Sequence, residues 1–428
     1  MKASFVRTEI TPPVGTPMMG WGDPEGRRSS SVHDPLYLRL CWLSHEGRDS
    51  LIVALDWCFV SRGDTRRFRT ALASELGLKA SEILVAVSHT HSGPEVGTYL
   101  NKEADSEPYI QHVEQAMVDA ARHAKNNLVP ARLSTGLGRT ALPLNRRQRA
   151  AGVVLNGPNP AGETYDRLPV CLIRDENDRP IVLLFAASTH PVCMQSNAFS
   201  ADYPGIATEI LDRHLGDACS MFLQGMGGDS RPVHLADGDG WRVNPGAAET
   251  TAAGKQLAEE VIGILDELEP VVPVVHAALV ETQWLLEPAP DRDALAAIAS
   301  GSHAMRARWA RAMMDRLGQG PLPNHAPIAL QGIQIGENVR LIALEGEPMS
   351  TQGKIIEEIF PADIPNGTTF ALGYANGEGL YLATTAMLEE GGYESVSYWE
   401  FGWPAPLAAG NEKVLRDGLE ILRAGGIG

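Results

Sequence analysis

Short apolar runs that end abruptly in a polar, chemically loaded loop constrain this chain more than any other feature. "ILVAVSHTHSGPE" (Ile83 to Glu95) does this most plainly: five aliphatic residues, then two histidines, a glycine and a proline. The same pattern recurs in "SLIVALD" up to Asp56, "PIVLLFAASTH" up to His190, "CSMFLQGMGGD" up to Asp229, "NVRLIALEGE" up to Glu347, and "TTFALGYANGEG". Runs of this length read as buried strands, and the loop after a strand combines a rigid base with access to a ligand.

Helical patterns lie between these runs. Asp64 is placed to cap a helix with Phe68, Leu72 and Leu76 on one face and Gly77 as its stop, and Ile110, Val113 and Met117 form the apolar stripe of another. "PVCLIR" and "PIVLLFAASTH", joined by "DEND", predict a hairpin, as does "ALQGIQIGENVRLIALEGE". "PVVPVVHAALV" reads as a core strand. The alternation predicts an α/β fold with a mixed β-sheet core, flanking helices and an active site at the carboxyl ends of the strands. No repeat, low-complexity tract or linker divides the 428 residues, so one domain over 1–428 is the expectation.

The net charge of −17 argues against nucleic acid as a partner, because phosphate backbones require clustered Lys and Arg. No apolar run reaches the ~18 residues of a membrane span. "RTEITPP" sits where a secretion signal would be apolar. Five cysteines, Cys41, Cys58, Cys171, Cys193 and Cys219, show no paired zinc-site spacing and read as buried thiols. A cytoplasmic protein without an integral membrane segment is expected; the pattern says nothing of its oligomeric state.

His89, His190 and Glu347 each follow a strand and together would form a zinc donor set, if the sheet order brings them together. His91 is beside His89, two positions on. "QGMGGDSRP" lacks the basic ending of a phosphate loop and reads as a tight turn. His112, His123, His214 and His303 lie in helical patterns and read as surface or satisfied residues. No G-x-S-x-G elbow singles out a serine nucleophile.

These residues resemble the catalytic, amino-terminal domain of the neutral/alkaline non-lysosomal ceramidase family, from the amino terminus to about Tyr398. "PPVGTPMMGWG", "VHDPLYLRL", "SHTHSGP", "LNRRQ", "FSADYPG" and "LEGEP" follow the family's order. Asn376, Tyr381, Thr384 with Thr385, and Tyr393 with Glu394 keep its spacing.

The resemblance implies one Zn2+ held by His89, His190, Glu347 and Tyr381, with His91, Arg146 and Tyr393 around the reacting centre. It implies a zinc-dependent amidohydrolase that cleaves a linear carboxamide with a metal-bound hydroxide, on ceramide or a smaller soluble N-acyl compound. His91 would move protons, Tyr393 would donate to the oxyanion, and Arg146 would hold a polar substrate group or assist that oxyanion. A metal-dependent esterase or phosphoesterase is the alternative, and a noncatalytic zinc-stabilised binding protein a further one. Two departures, Glu378 in place of an aromatic and "GGDSRP" in place of an asparagine-containing loop, together with a short form lacking the carboxyl-terminal β-sandwich, favour a soluble amide over ceramide.

Overall fold

The computed structural model describes residues 1–21, 26–96, 106–217, 220–362, 367–377 and 379–428; Cys219 and Glu378 lie outside them. The apolar runs are strands, divided between two sheets. Across the larger sheet the order is Ser220–Gln224, Pro180–Ala187, Arg167–Asp175, Val129–Arg139, Lys2–Glu9, Tyr37–His45, Arg48–Leu55 and Ile83–Val87, with Glu269–Val271 also pairing with Val129–Arg139. The outermost pair at each end is parallel and those between are antiparallel. The smaller sheet runs Pro273–Leu285, His325–Gly336, Val339–Leu344 and Thr368–Leu372, its last pair parallel. Both expected hairpins are present. "PVVPVVHAALV" lies mainly in Pro273–Leu285, a half-buried edge strand and not a core strand, because it has a neighbour on one side only.

Strand alternation explains why the sheets stack. Side chains along a strand point to opposite faces in turn, and here both faces are apolar. Leu51, Val53, Leu55, Val85 and Val87 face Phe68, Leu72, Ile110, Val113 and Met117 on helices Arg62–Leu76 and Glu107–Asn126. Ile52, Ala54, Leu84 and Ala86 face Ile333, Ile335, Leu341 and Phe370 of the smaller sheet. At the other end of the larger sheet, Leu183 and Phe185 meet Leu211, Leu257 and Val261 from helices Asp202–Leu215 and Ala247–Leu265. The outer face of the smaller sheet, through Leu330, Ile342 and Leu344, is covered by Leu415, Leu419 and Leu422 of helix Asn411–Ala424. The layers are therefore helix, sheet, sheet, helix.

Helix Arg62–Leu76 starts earlier than the sequence suggests. Ser61 is its cap and accepts from the Asp64 amide, while the Asp64 carboxylate, inside the first turn, accepts from the Ser61 hydroxyl. Gly77 ends it in the left-handed conformation, as expected. Cys41, Cys58, Cys171 and Cys193 are buried, and none forms a disulfide among the described residues.

The larger sheet coils until its edge strands, Ser220–Gln224 and Ile83–Val87, lie against each other. Residues 373–376, leaving the smaller sheet, bridge them. The Gly373 amide donates to Gln224, the Tyr374 carbonyl accepts from Val87, and the Asn376 amide donates to Val85. This closure brings strand ends from opposite edges to one place.

Candidate metal centre and active site

His89 and His190 arrive from those two edges. The His89 amide donates to the Trp57 carbonyl, and its left-handed φ of 64° swings the ring inward. Its Nδ1 lies 2.7 Å from the Cys58 carbonyl. The His190 amide donates to Ser230, and its Nδ1 is 2.6 Å from the Gly227 carbonyl. A carbonyl oxygen only accepts, so both rings carry the proton on Nδ1 and turn a basic Nε2 into the same space.

Glu347 reaches that space from the smaller sheet, and Tyr381 comes with it, because Glu347–Pro348 and Tyr381–Leu382 pair in parallel with Glu347 directly opposite Tyr381. Gly346, in "LEGEP", makes the turn at φ 94°; a Cβ there would stand 2.7 Å from the Leu380 carbonyl oxygen. His190 Nε2 lies 3.1 Å from Glu347 Oε2 and 3.2 Å from Tyr381 Oη, and His89 Nε2 lies 3.5 Å from the same carboxylate oxygen.

These spacings bear on a metal. A tetrahedral zinc with bonds of about 2.0–2.1 Å holds its donors about 3.3–3.4 Å apart, and the observed separations bracket that value. The chemistry agrees: two imidazole lone pairs, a carboxylate and a phenol oxygen converge, all buried, on one point. Burial depresses the His89 and His190 pKa values, the latter further through the Arg146 charge, which favours the neutral rings that metal ligation would require. Burial and then the Glu347 carboxylate push the Tyr381 phenol well above its usual range.

His91 lies at the same centre. Its Nδ1 is bonded to the Gly20 carbonyl, and its Nε2 is 3.0 Å from His89 Nε2. With Nδ1 protonated on both rings, two lone pairs oppose each other there, an arrangement that a cation or a proton between them relieves. Burial, then His89 and His190, hold the His91 pKa well below its usual value. Gly20 permits this packing, since a Cβ would fall 2.5 Å from His91 Cα, and Trp21 meets the ring edge-on. Cys58, His89 and His91 form a second possible donor group, but it shares His89 with the first.

Arg146 is buried and ion-paired through Nε to Glu394 Oε1 at 2.9 Å, while Nη1 is 3.4 Å from His190 Nε2. Its Nη2 has no hydrogen-bond partner among the described residues. Tyr393 stands at the rim, 37% exposed, its hydroxyl 2.9 Å from a Glu400 oxygen and its ring edge-on to Tyr381. Asp229 is buried, and its carboxylate accepts from the amide and hydroxyl of Ser350. His112, His123 and His214 are exposed on helices; His303, also exposed, caps helix Ala304–Gln319 and is not within it.

Sequence reasoning assigned no role to several residues found here. Glu394 is buried between Arg146 and Arg147; a doubled arginine in "LNRRQ" was the available signal. Tyr374 packs its ring 4.3 Å from that of His89, and Arg231 follows Ser230, whose carbonyl accepts from the His190 amide. Nothing in the spacing marked either one.

No protein-family model matches the chain, and no curated protein matches its sequence. Solved structures match it in fold. The neutral ceramidase from Pseudomonas aeruginosa superposes with a TM-score of 0.73 at 16% identity, over 99% of this chain and 74% of that one. A ceramidase complexed with C2 gives 0.74 at 16% identity, over 99% and 75%. The chain has the fold of the neutral ceramidases.

Proposed function

From that fold as premise, we propose that the protein is a zinc-dependent hydrolase that cleaves the carboxamide bond of a linear N-acyl compound. The observation that carries the reading is the approach of His190 Nε2 to Glu347 Oε2 and Tyr381 Oη, and of His89 Nε2 to the same Glu347 oxygen, at 3.1, 3.2 and 3.5 Å, close to the spacing of donors around a tetrahedral ion. The likeness to a protein named neutral ceramidase supports an amide as substrate.

Zinc, when bound by such a set, supplies a Lewis acid and a water acidified toward pH ~7. The remaining chemistry falls to the chain. His91, neutral through burial and with Nδ1 committed to Gly20, presents Nε2 as the base that takes a proton and returns it to the leaving amine. Arg146, fixed by Glu394, has Nη2 uncommitted and donates to the carbonyl oxygen as it becomes negative. Tyr393 offers its hydroxyl from the rim.

The test is hydrolysis of N-acyl compounds by zinc-loaded protein, loss of activity on chelation and its return with zinc. Alanine at His89, His190 or Glu347 is expected to lower bound zinc and activity together. His91→Ala and Tyr393→Phe are expected to keep zinc and lose about tenfold to a thousandfold in turnover. Full zinc occupancy in all three ligand variants, or no amide cleaved by the loaded protein, overturns the reading.

A further inference from the structure

The charges around this centre do not balance. Arg146 and Arg147 share Glu394, and Arg147 also faces Glu390. Arg231 has no such partner. It lies in Ser230–Pro232, paired with Pro143–Asn145, in a segment whose carbonyls hold two site residues: Ser230 accepts from the His190 amide and Asp229 from the Arg146 amide. Its guanidinium carbon lies 5.3 Å from the Trp241 ring centroid, and its Nε is buried without a hydrogen-bond partner among the described residues. No described carboxylate pairs with it.

Arg231 stands beside residues that hold the centre, and burial followed by the Arg146 charge lowers the Arg231 pKa to about 10. Two guanidinium groups thus repel, and among the described residues only Arg146 has a carboxylate counter-charge, while Arg231 is partly buried with its Nε shut off from solvent. Such an arrangement is costly in the free protein and is relieved by an anion that enters with the ligand. Arg146 cannot be the main receiver, because Glu394 already neutralises it.

We infer that Arg231 is the recognition site for a carboxylate carried by the amide substrate. Its flat fork matches a carboxylate with two parallel hydrogen bonds, and the indole of Trp241 supports the plane of the fork. The substrate class is then an N-acyl amino acid or the half-amide of a dicarboxylic acid. An uncharged lipid amide would leave Arg231 unmatched. The inference deepens the amidohydrolase reading and, as a statement about substrate, rests on it.

Two measurements separate the two claims. In the first, the zinc-loaded enzyme is given N-hexanoylglycine beside N-hexanoylethanolamine, and the monoethylamide of adipic acid beside N-ethylhexanamide. The wild type is expected to prefer the carboxylate in at least one pair by about 30-fold or more in kcat/KM, chiefly through KM, and Arg231→Met to bring that preference near unity, with Arg231→Lys between. In the second, which needs no turnover, calorimetry compares dicarboxylates from succinate to suberate with monocarboxylates of equal length. A dicarboxylate advantage that Arg231→Met abolishes supports the anion site even if no amide is cleaved, in which case only the amidohydrolase reading falls. No advantage at any length, or one that survives Arg231→Met, overturns the inference. Removing a partly buried charge that pairs with no described carboxylate is expected to leave Tm unchanged or raised, so folding does not confound the variant.

Discussion

A buried carboxylate between two guanidinium groups holds more than its own place. Burial alone would raise the Glu394 pKa, but Arg146 and Arg147 outweigh it and the net shift is downward. Glu394→Gln is expected to strand Arg146 and to leave Arg147 with Glu390 alone, costing about 3–5 kcal/mol in urea unfolding, and to lower kcat because Arg146 loses its anchor. A variant as stable and active as the wild type would show that Arg146 is positioned by other contacts. At this scale the sequence is readable where chemistry follows an apolar run, as at the candidate donors His89, His190 and Glu347. Tyr381 and Arg146 came only from resemblance. A tyrosine after "GEGL" and an arginine within "NRRQR" look like ordinary side chains until the pairing of Glu347 with Tyr381 and the ion pair with Glu394 are seen. Arg231 was passed over because an arginine that lacks a partner can be recognised only in three dimensions.

At the scale of elements, strand alternation announced the strands but not their division into two sheets, since a strand apolar on both faces does not say what covers either. Nor did it show that residues 373–376 close the larger sheet, because that contact is made by backbone groups. The loop "FSADYPG" teaches a similar lesson at the start of helix Asp202–Leu215. Asp202 is fully buried with φ 56°, its carboxylate accepting from the Met194 and Tyr203 amides, and burial raises its pKa to about 6. Between the unfolded carboxyl pKa near ~4 and that value, the folded chain keeps a proton that the unfolded chain has lost. The contribution of Asp202 is therefore fully present below that window and declines as pH rises through about 6. The stability of the wild type relative to Asp202→Asn should fall by an amount on the order of 3 kcal/mol between pH 4 and pH 7. A difference that stays flat with pH, in parallel denaturant melts, would place the Asp202 pKa in the ordinary range.

For the molecule as a whole, the candidate donors unite parts of the fold that the backbone joins only loosely. His89 and His190 come from opposite edges of the larger sheet, Glu347 and Tyr381 from segments that follow strands of the smaller one. An ion held by all four would cross-link both sheets at the point where the coil closes, beside the Gly373 to Asn376 bridge. Since the unfolded chain cannot present that set, binding stabilises the folded state by mass action, by about 4 kcal/mol at a thousandfold excess of zinc over its Kd. The sheets also share one apolar interior in which Ile52, Leu84, Ile333 and Leu341 lie together, so neither should melt alone. Chelation is accordingly expected to lower Tm in a single transition, with tryptophan fluorescence and far-ultraviolet circular dichroism moving together, and zinc should restore it. His190→Ala should melt near the chelated wild type and respond to neither treatment. A zinc response that persists in His190→Ala would move the ion elsewhere, and two separated transitions would mean that the sheets do not depend on their common core.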